Sequence, residues 1–221
     1  MNIRHKTKLQ TYKEAGAKLV DLLGETLLPQ VWKIKDAFSI LYSSAKNNAF
    51  QDFLEGIAID FLMNDLTEDD IEQLSTQISN NGNNQFLTNI LDSVFFSKCK
   101  LCRCILGIIA GKFLTTNKVD YEDLTLTVAL KDLFDDDLNE FKLLYNRKPA
   151  KTNVDNSTIF VGSYTDTQRI IVEKLQNSGI LGRDLAPNRL MGSGILPLRY
   201  SLTVVSNRLY SYIEIFNSDH Q

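Results

Sequence analysis

The chain has 221 residues, of which 43% are hydrophobic and 23% charged, so its length suits one large globular domain or a domain with a small appendage. With only 11 Gly and 4 Pro, the composition favours long helices over a loop-rich β-sandwich. The net charge of −3 conceals an acidic middle: residues 36–146 hold eighteen Asp/Glu against eight Lys/Arg, between basic segments at 1–35 and 147–210. Different parts of the chain are therefore expected to contact different partners.

The sequence shows no membrane or export signal. The longest uncharged apolar stretch, Cys104–Gly111, is much shorter than the about 20 residues that span a bilayer. The basic start at 1–20 lacks the apolar core of a secretory peptide. Together with an odd number of cysteines, these features predict a cytoplasmic protein with no integral membrane segment.

Apolar residues recur at three- and four-residue steps through the first 145 residues, which is typical of amphipathic helices. A first helix is predicted from Thr7 to Leu28, and Pro29 interrupts the pattern because proline lacks an N–H group. Several later helices begin with Thr or Asp in capping positions. The later predicted helices are Val31–Ala45, Phe50–Leu62, Thr67–Ile78, Phe86–Phe95, Asp120–Leu133 and Asp135–Asn146, with a polar turn at Ser79–Gln85.

The composition changes after the last of these helices. Residues 146–157 are polar and nearly free of apolar side chains, which is typical of a linker. A strand at Thr158–Gly162, a helix at Thr165–Gly179 and an extended segment at Arg199–Thr203 are predicted after it. The pattern from Val204 onward fits a helix or a strand, and a helix is favoured.

The predicted fold class is therefore mainly α, a multi-helix bundle with a small C-terminal α+β module. Residues 1–145 are assigned to the bundle, residues 146–157 to the linker and residues 158–221 to the module.

Three cysteines, Cys99, Cys102 and Cys104, precede an apolar run, and their spacing has three interpretations. Cys-x-x-Cys is half of a zinc-binding pattern, but structural zinc needs four ligands, and the two histidines, His5 and His220, lie near the ends of the chain. A redox Cys-x-x-Cys needs a helix N-terminus that follows a strand, whereas the expected context is all helix. We therefore predict that the segment is the buried central helix of the bundle and binds no metal.

Two acidic runs, Glu68–Asp70 and Asp135–Asp137, contain the oxygen ligands that divalent cations prefer. Neither matches an EF-hand loop, and both lie where helices are predicted to begin, so helix capping is the favoured interpretation. Gly192–Gly194 is too short for a phosphate-binding loop, and no hydrolase, metalloprotease or kinase motif is present. No catalytic, cofactor-binding or metal-binding residue is predicted, and no cofactor is expected.

One stretch carries a family resemblance. A helix ending in Gly-Ile-Leu (179–181) is followed by an Arg-bearing loop, an extended segment ending in Leu-Thr (202–203) and a last helix. Residues 158–215 thereby resemble the latter half of a winged-helix module, a family that serves in DNA binding and in protein docking. The sequence departs from that family at Ser206, where a glycine is usual, and lacks its Asp-x-Arg wing motif. The whole chain is more faintly similar to uncharacterised helical proteins of bacteria and phages, some associated with abortive infection.

Three functions follow as expectations. The leading one is a non-enzymatic interaction or regulatory protein, in a phage or defence setting, whose acidic middle docks a protein partner and whose C-terminal module packs on it or binds a partner. The alternative is a DNA-binding regulator, because DNA affinity depends mainly on neutralised phosphates. The third is peripheral membrane association through the basic, amphipathic residues 1–28. The residues expected to contact DNA are Arg169, Lys174, Arg183, Arg189 and Arg199.

Overall fold

The computed structural model describes residues 41–67, 70, 84–147, 158–161, 164–183 and 198–219, which form seven helices and three strands. The helices are α1 (Leu41–Met63), α2 (Asn84–Phe96), α3 (Lys100–Thr116), α4 (Tyr121–Ala129), α5 (Asp135–Tyr145), α6 (Asp166–Asn177) and α7 (Val204–Asp219). The strands are β1 (Thr158–Val161), β2 (Leu181–Gly182) and β3 (Leu198–Leu202). The protein is therefore mainly helical with a small α+β part toward its C-terminus, as predicted.

Helices α1 and α3 cross with their backbones in close contact, and two glycines make this approach sterically feasible. A Cβ atom placed on Gly56 would lie 1.9 Å from the carbonyl oxygen of Cys104. One placed on Gly107 would lie 2.1 Å from the carbonyl oxygen of Phe53. A side chain at either position would therefore overlap the backbone of the opposite helix.

The cysteine segment forms the central helix of the described structure, which confirms the prediction. Helix α3 packs against α1, α2, α4 and α7. Cys99 lies just before this helix as its N-cap, and its sulfur accepts a hydrogen bond from the Cys102 N–H at 3.2 Å. Cys99 is thus outside the helix in which we expected it, although its side chain is still fully buried. Asn117 ends the helix in the left-handed conformation, with a φ of 52°.

The three strands form one antiparallel sheet in the order β1-β3-β2. Helix α6 precedes β2 and begins with a capping box, in which Thr165 and Gln168 each accept the other's backbone N–H at 3.1 Å. Gly179 follows its end with a φ of 76°, as the sequence predicts. Thr203 and Ser206 cap α7 in the same reciprocal way, at 3.0 Å, which gives Ser206 a structural role.

One hydrophobic core runs through both parts of the chain. The Tyr200 hydroxyl in β3 donates to the carbonyl oxygen of Leu144 in α5 at 2.8 Å. The rings of Tyr145 in α5 and Tyr210 in α7 stack with their centroids 4.0 Å apart. These contacts join the sheet and the last helix to the helical part. Residues 148–157 of the predicted linker lie outside the described residues, so the domain boundaries stay a prediction.

Several predicted elements have different bounds in the structure. The second and third predicted segments are not separate, because α1 continues through the polar stretch between them. Helix α4 ends at Ala129 instead of Leu133. Thr67 and Asp70 form the predicted cap, in which the Thr67 N–H donates at 2.8 Å and the Asp70 N–H at 3.2 Å. The helix predicted after this cap and the first predicted helix, Thr7–Leu28, lie outside the described residues.

Candidate functional site

The basic residues predicted to contact DNA have different surroundings. Arg169 on α6 and Arg183 just after β2 are exposed, whereas Arg199 in β3 is half-buried. Arg189 lies outside the described residues, as does most of the loop between β2 and β3. The structure therefore leaves the predicted DNA contacts as a prediction.

Lys174, the remaining member of that set, is held by an ion pair within the protein. Its ammonium lies 2.5 Å from the buried carboxylate of Asp137 and 4.5 Å from the ring centroid of Phe134. The Asp137 carboxylate also accepts the backbone N–H of Phe134 at 2.8 Å, so the acidic run 135–137 caps α5 as predicted. Lys174 thereby ties α6 to the helical part, and Asp137 already balances its charge.

The three thiols are free and fully buried. A hydrogen bond with Cys99, together with burial, raises the pKa of Cys102, and burial raises the pKa of Cys104. Both groups therefore remain protonated thiols at neutral pH, which is the form that packs as a small apolar side chain. Within the described ranges, no group of three His, Cys, Asp or Glu side chains is arranged to hold a metal ion.

A cluster of charged residues that the sequence did not predict lies where α3, α4 and α7 meet. The Lys112 ammonium is 2.5 Å from the carboxylate of Asp120 and 2.7 Å from that of Asp123. The Arg208 guanidinium on α7 lies 3.0 Å from Asp120 and 3.8 Å from Asp123. The Tyr212 hydroxyl donates to Asp123 at 2.7 Å. We refer to these five residues as the buried ion cluster, after the buried Asp123 and Tyr212 at its centre; the Lys112, Arg208 and Asp120 side chains are 24%, 33% and 43% exposed.

Asp123 is the central member of the buried ion cluster, because it binds groups from both neighbouring helices and is only 2% exposed. Burial and the Asp123 carboxylate raise the pKa of Tyr212, so this residue stays a hydroxyl donor. Burial lowers the pKa of Lys112, but its hydrogen bonds to Asp120 and Asp123 outweigh that effect and raise it. Lys112 is thus a cation at neutral pH. Through its ion pairs and hydrogen bonds, the buried ion cluster holds α7 against α3 and α4.

The sequence predicts that Asp120 opens α4, and Asp120 is indeed its N-cap residue, but its side chain does not cap the helix. The Asp120 side chain makes no capping hydrogen bond; it binds Lys112 and Arg208 instead. The hydrogen bond from Lys112 lowers the pKa of Asp120. The carboxylate is therefore used to join helices rather than to begin one.

Helix α4 has apolar side chains on both its inner and its outer side: Leu126 and Ala129 are buried, but other large apolar residues face outward. Asp123 and Thr127 are buried, whereas Tyr121 is 73% exposed, Leu124 47% and Val128 64%. The three exposed residues are spaced i, i+3 and i+7 and share one side of the helix, and we name them the α4 outer stripe. Sequence reasoning missed this surface because a buried stripe and an outward-facing stripe have the same spacing.

Comparison with known proteins found no relative of this chain. No protein-family model, no curated protein and no solved structure matches the chain. In the part of the chain that the structure describes, no helix is both long and apolar enough to cross a membrane. Residues 1–28, on which the membrane-surface hypothesis depends, lie outside that part.

Proposed function

We propose that this protein is a non-enzymatic interaction or regulatory protein that binds another protein through the α4 outer stripe. The observation that carries the proposal is the exposure of three large apolar side chains on one side of a nine-residue helix. A contiguous exposed apolar surface is typical of an interaction site, whereas single exposed apolar residues are not. Tyr121 adds an aromatic ring with a polar end, a residue type enriched where interfaces are strongest.

The firm attachment of α4 on its inner side supports the proposal. The buried ion cluster holds the helix through Asp123, and Leu126, Ala129 and Leu130 belong to the hydrophobic core. A helix that is already fixed loses little conformational freedom when a partner binds its outer side. Preorganisation of this kind reduces the entropic cost of association.

Basic residues of the C-terminal part form ion pairs inside the protein, which supports protein binding rather than DNA binding as the leading function. Lys174 pairs with Asp137, and Arg208 pairs with Asp120 and Asp123, so basic groups of the C-terminal part balance carboxylates of the acidic middle. Of the two roles expected for the C-terminal module, packing on the helical part is the one these contacts favour. The association with phages or defence loci stays a prediction.

Replacing Leu124 and Val128 together by serine should abolish retention of a protein partner without unfolding the chain. Loss of these two apolar contacts is expected to cost about 3 kcal/mol of binding, or roughly a hundredfold in affinity. The measurement is affinity isolation from lysate of the source cells with the wild-type and variant proteins in parallel, with quantitative mass spectrometry of what each retains.

Leu143→Ser is the matched control, because Leu143 is a similarly exposed apolar residue on α5. The proposal requires at least one protein that wild type and Leu143→Ser retain and the double variant loses. If the three proteins retain the same set in the same amounts, the α4 outer stripe is not the binding surface. Thermal unfolding of each variant shows whether the fold is intact.

A DNA-binding regulator is the second candidate, and the arrangement of the C-terminal part is the observation that favours it. Helix α6 leads directly into β2, and its exposed Arg169 lies in the same small unit as the exposed Arg183. In the winged-helix family that the sequence resembles, the corresponding helix enters the major groove. Against this candidate, α6 carries Asp166 and Glu173 as well as Arg169 and Lys174, so the helix has no net charge.

If this candidate is correct, the protein should shift duplex DNA in a gel at low salt, with affinity falling steeply as salt is added. Arg169→Ala and Arg183→Ala should each reduce the slope of log K against log salt by about 1. Lys118→Ala, which removes an exposed cation in the helical part, serves as the control. Absence of any complex at low salt would exclude DNA binding by this surface.

A further inference from the structure

Asp60, near the end of α1, is a buried carboxyl group next to the buried ion cluster. It is 7% exposed, and its Oδ2 atom accepts no hydrogen bond within the described part of the chain. It faces Gly111 on α3 so closely that a Cβ atom on this glycine would lie 2.7 Å from the Cβ of Asp60 and 3.0 Å from its Oδ2. A buried ionised carboxylate with such an unsatisfied oxygen is costly, so the packing favours the protonated form.

The charged and titratable groups that act on Asp60 come from two other helices, α3 and α7. Burial raises the pKa of Asp60, and the charge of Lys112 on α3 acts to lower it. Burial and Asp123 raise the pKa of Tyr212 on α7, and Asp60 adds to that effect. Asn64 is the neighbouring polar group on its own helix. Helix α2 also packs against α1, but its one charged residue, Asp92, is exposed.

The charge balance of the buried ion cluster gives Asp60 its significance. The cluster holds two cations, Lys112 and Arg208, and two carboxylates, Asp120 and Asp123, so its charge is balanced while Asp60 is protonated. An ionised Asp60 adds a third negative charge, which the two cations no longer balance. Lys112 directly follows Gly111, the residue that Asp60 faces. Any movement of the Lys112 ammonium toward Asp60 weakens its contact with Asp123.

We propose that Asp60 is a proton-dependent switch that sets how firmly the last helix, α7, is held. With Asp60 protonated, Lys112 stays on the two carboxylates, and Asp123 remains in place to bind Tyr212 and Arg208. Loss of the Asp60 proton to solvent draws Lys112 away from Asp123 and loosens α7 against α3 and α4. This device needs no partner, and it does not rest on the proposed binding function.

The protonation range of Asp60 places this switch near neutral pH. Burial raises the pKa of Asp60 from its ordinary value of 3.8 to about 7, although Asn64 and Lys112 act in the opposite direction. Because the folded-state pKa is raised, the stability that the protonated carboxyl confers is complete below the unfolded pKa. It declines as the pH rises and is lost once the pH has passed the folded pKa. The packing of α7 should therefore weaken between pH 6 and pH 8.

Hydrogen exchange of α7 amides at pH 6 and pH 8, corrected for the intrinsic effect of pH on exchange, measures the switch. In the wild-type protein we expect protection of α7 to fall by about tenfold between these pH values. The reason is that Asp60 binds its proton less tightly when α7 is locally unfolded than in the folded state. In Asp60→Asn, which keeps the shape and cannot ionise, protection should be equal at both. A carboxyl carbon NMR titration of the wild-type protein should show the Asp60 midpoint near 7.

Asp92→Asn is the matched control, since it removes an exposed carboxylate from α2 and should keep the wild-type pH dependence. A midpoint for Asp60 below pH 5 in the wild-type titration would overturn the proposal even if Asp60→Asn failed to fold. Equal pH dependence of α7 protection in wild type and Asp60→Asn would overturn it as well.

Discussion

Gly107→Ala should destabilise the protein by about 3 kcal/mol, because the added methyl group meets backbone on the opposite helix rather than a side chain that can rotate away. The new Cβ would lie 2.1 Å from the Phe53 carbonyl oxygen, and Gly56 already contacts α3 backbone at the same crossing. Alanine has the better intrinsic helix propensity by about 1 kcal/mol, so any net loss reports the helix contact alone. Urea unfolding measures the loss directly, and the melting temperature should fall by roughly 10 °C.

Thr115→Ala on the same helix is the control, because Thr115 is only half-buried and its hydroxyl donates to the Lys112 carbonyl within α3. This change should alter stability by less than about 0.5 kcal/mol. A Gly107→Ala protein as stable as wild type would show that α1 and α3 are further apart than described.

The crossing of α1 and α3 shows how far sequence reasoning reaches. The small residues Gly107, Ala110 and Gly111 of the cysteine segment are a sequence signal for close approach of a neighbouring helix, and at Gly107 the backbone of α1 does lie that close. The sequence does not name Gly56 as the opposing residue, because periodicity describes one helix at a time. The position of Cys99 could not be predicted either. A buried residue just before a helix and one in its first turn give similar apolar patterns, so the sequence does not fix where the helix begins.

Helix α4 shows why the candidate site itself was not predicted. Its start near Asp120 is predictable from local residue types, but its orientation depends on partners that are distant in sequence. Tyr212, which donates to Asp123, lies 89 residues away, and Arg208, which pairs with Asp120, lies 88 residues away. Local residue types predict that Leu124 is buried and Asp123 exposed. The structure shows the opposite, because Asp123 pairs with groups that are distant in sequence.

This reversal links the two sides of α4. The inner side is held by the buried ion cluster and by the core residues Leu126 and Ala129, and the α4 outer stripe lies on the opposite side, open to a partner. Loss of the buried ion cluster would leave α4 attached through its core residues Leu126 and Ala129 alone. The proposed binding surface therefore depends on the buried ion cluster as well as on its own residues.

Asp123→Ala should accordingly be among the most damaging single substitutions, with an expected loss of about 3 to 5 kcal/mol, the usual cost of removing one partner of a buried ion pair. It leaves the Lys112 and Arg208 cations with Asp120 alone and leaves the Tyr212 hydroxyl without its acceptor. Urea unfolding measures the loss, and hydrogen exchange in α7 should increase with it, because this helix is joined to α4 through these groups.

Glu122→Ala, at the next position of α4 but only half-buried, is the control and should change stability by less than about 0.5 kcal/mol. A double-mutant cycle with Tyr212→Phe isolates the hydrogen bond to Asp123, and a coupling energy of about 1 kcal/mol or more is expected for a buried bond to a charged group. If Asp123→Ala costs less than about 1 kcal/mol, or if the two substitutions are additive, the carboxylate does not hold α7. The outward orientation of Leu124 and Val128 would then need a different cause.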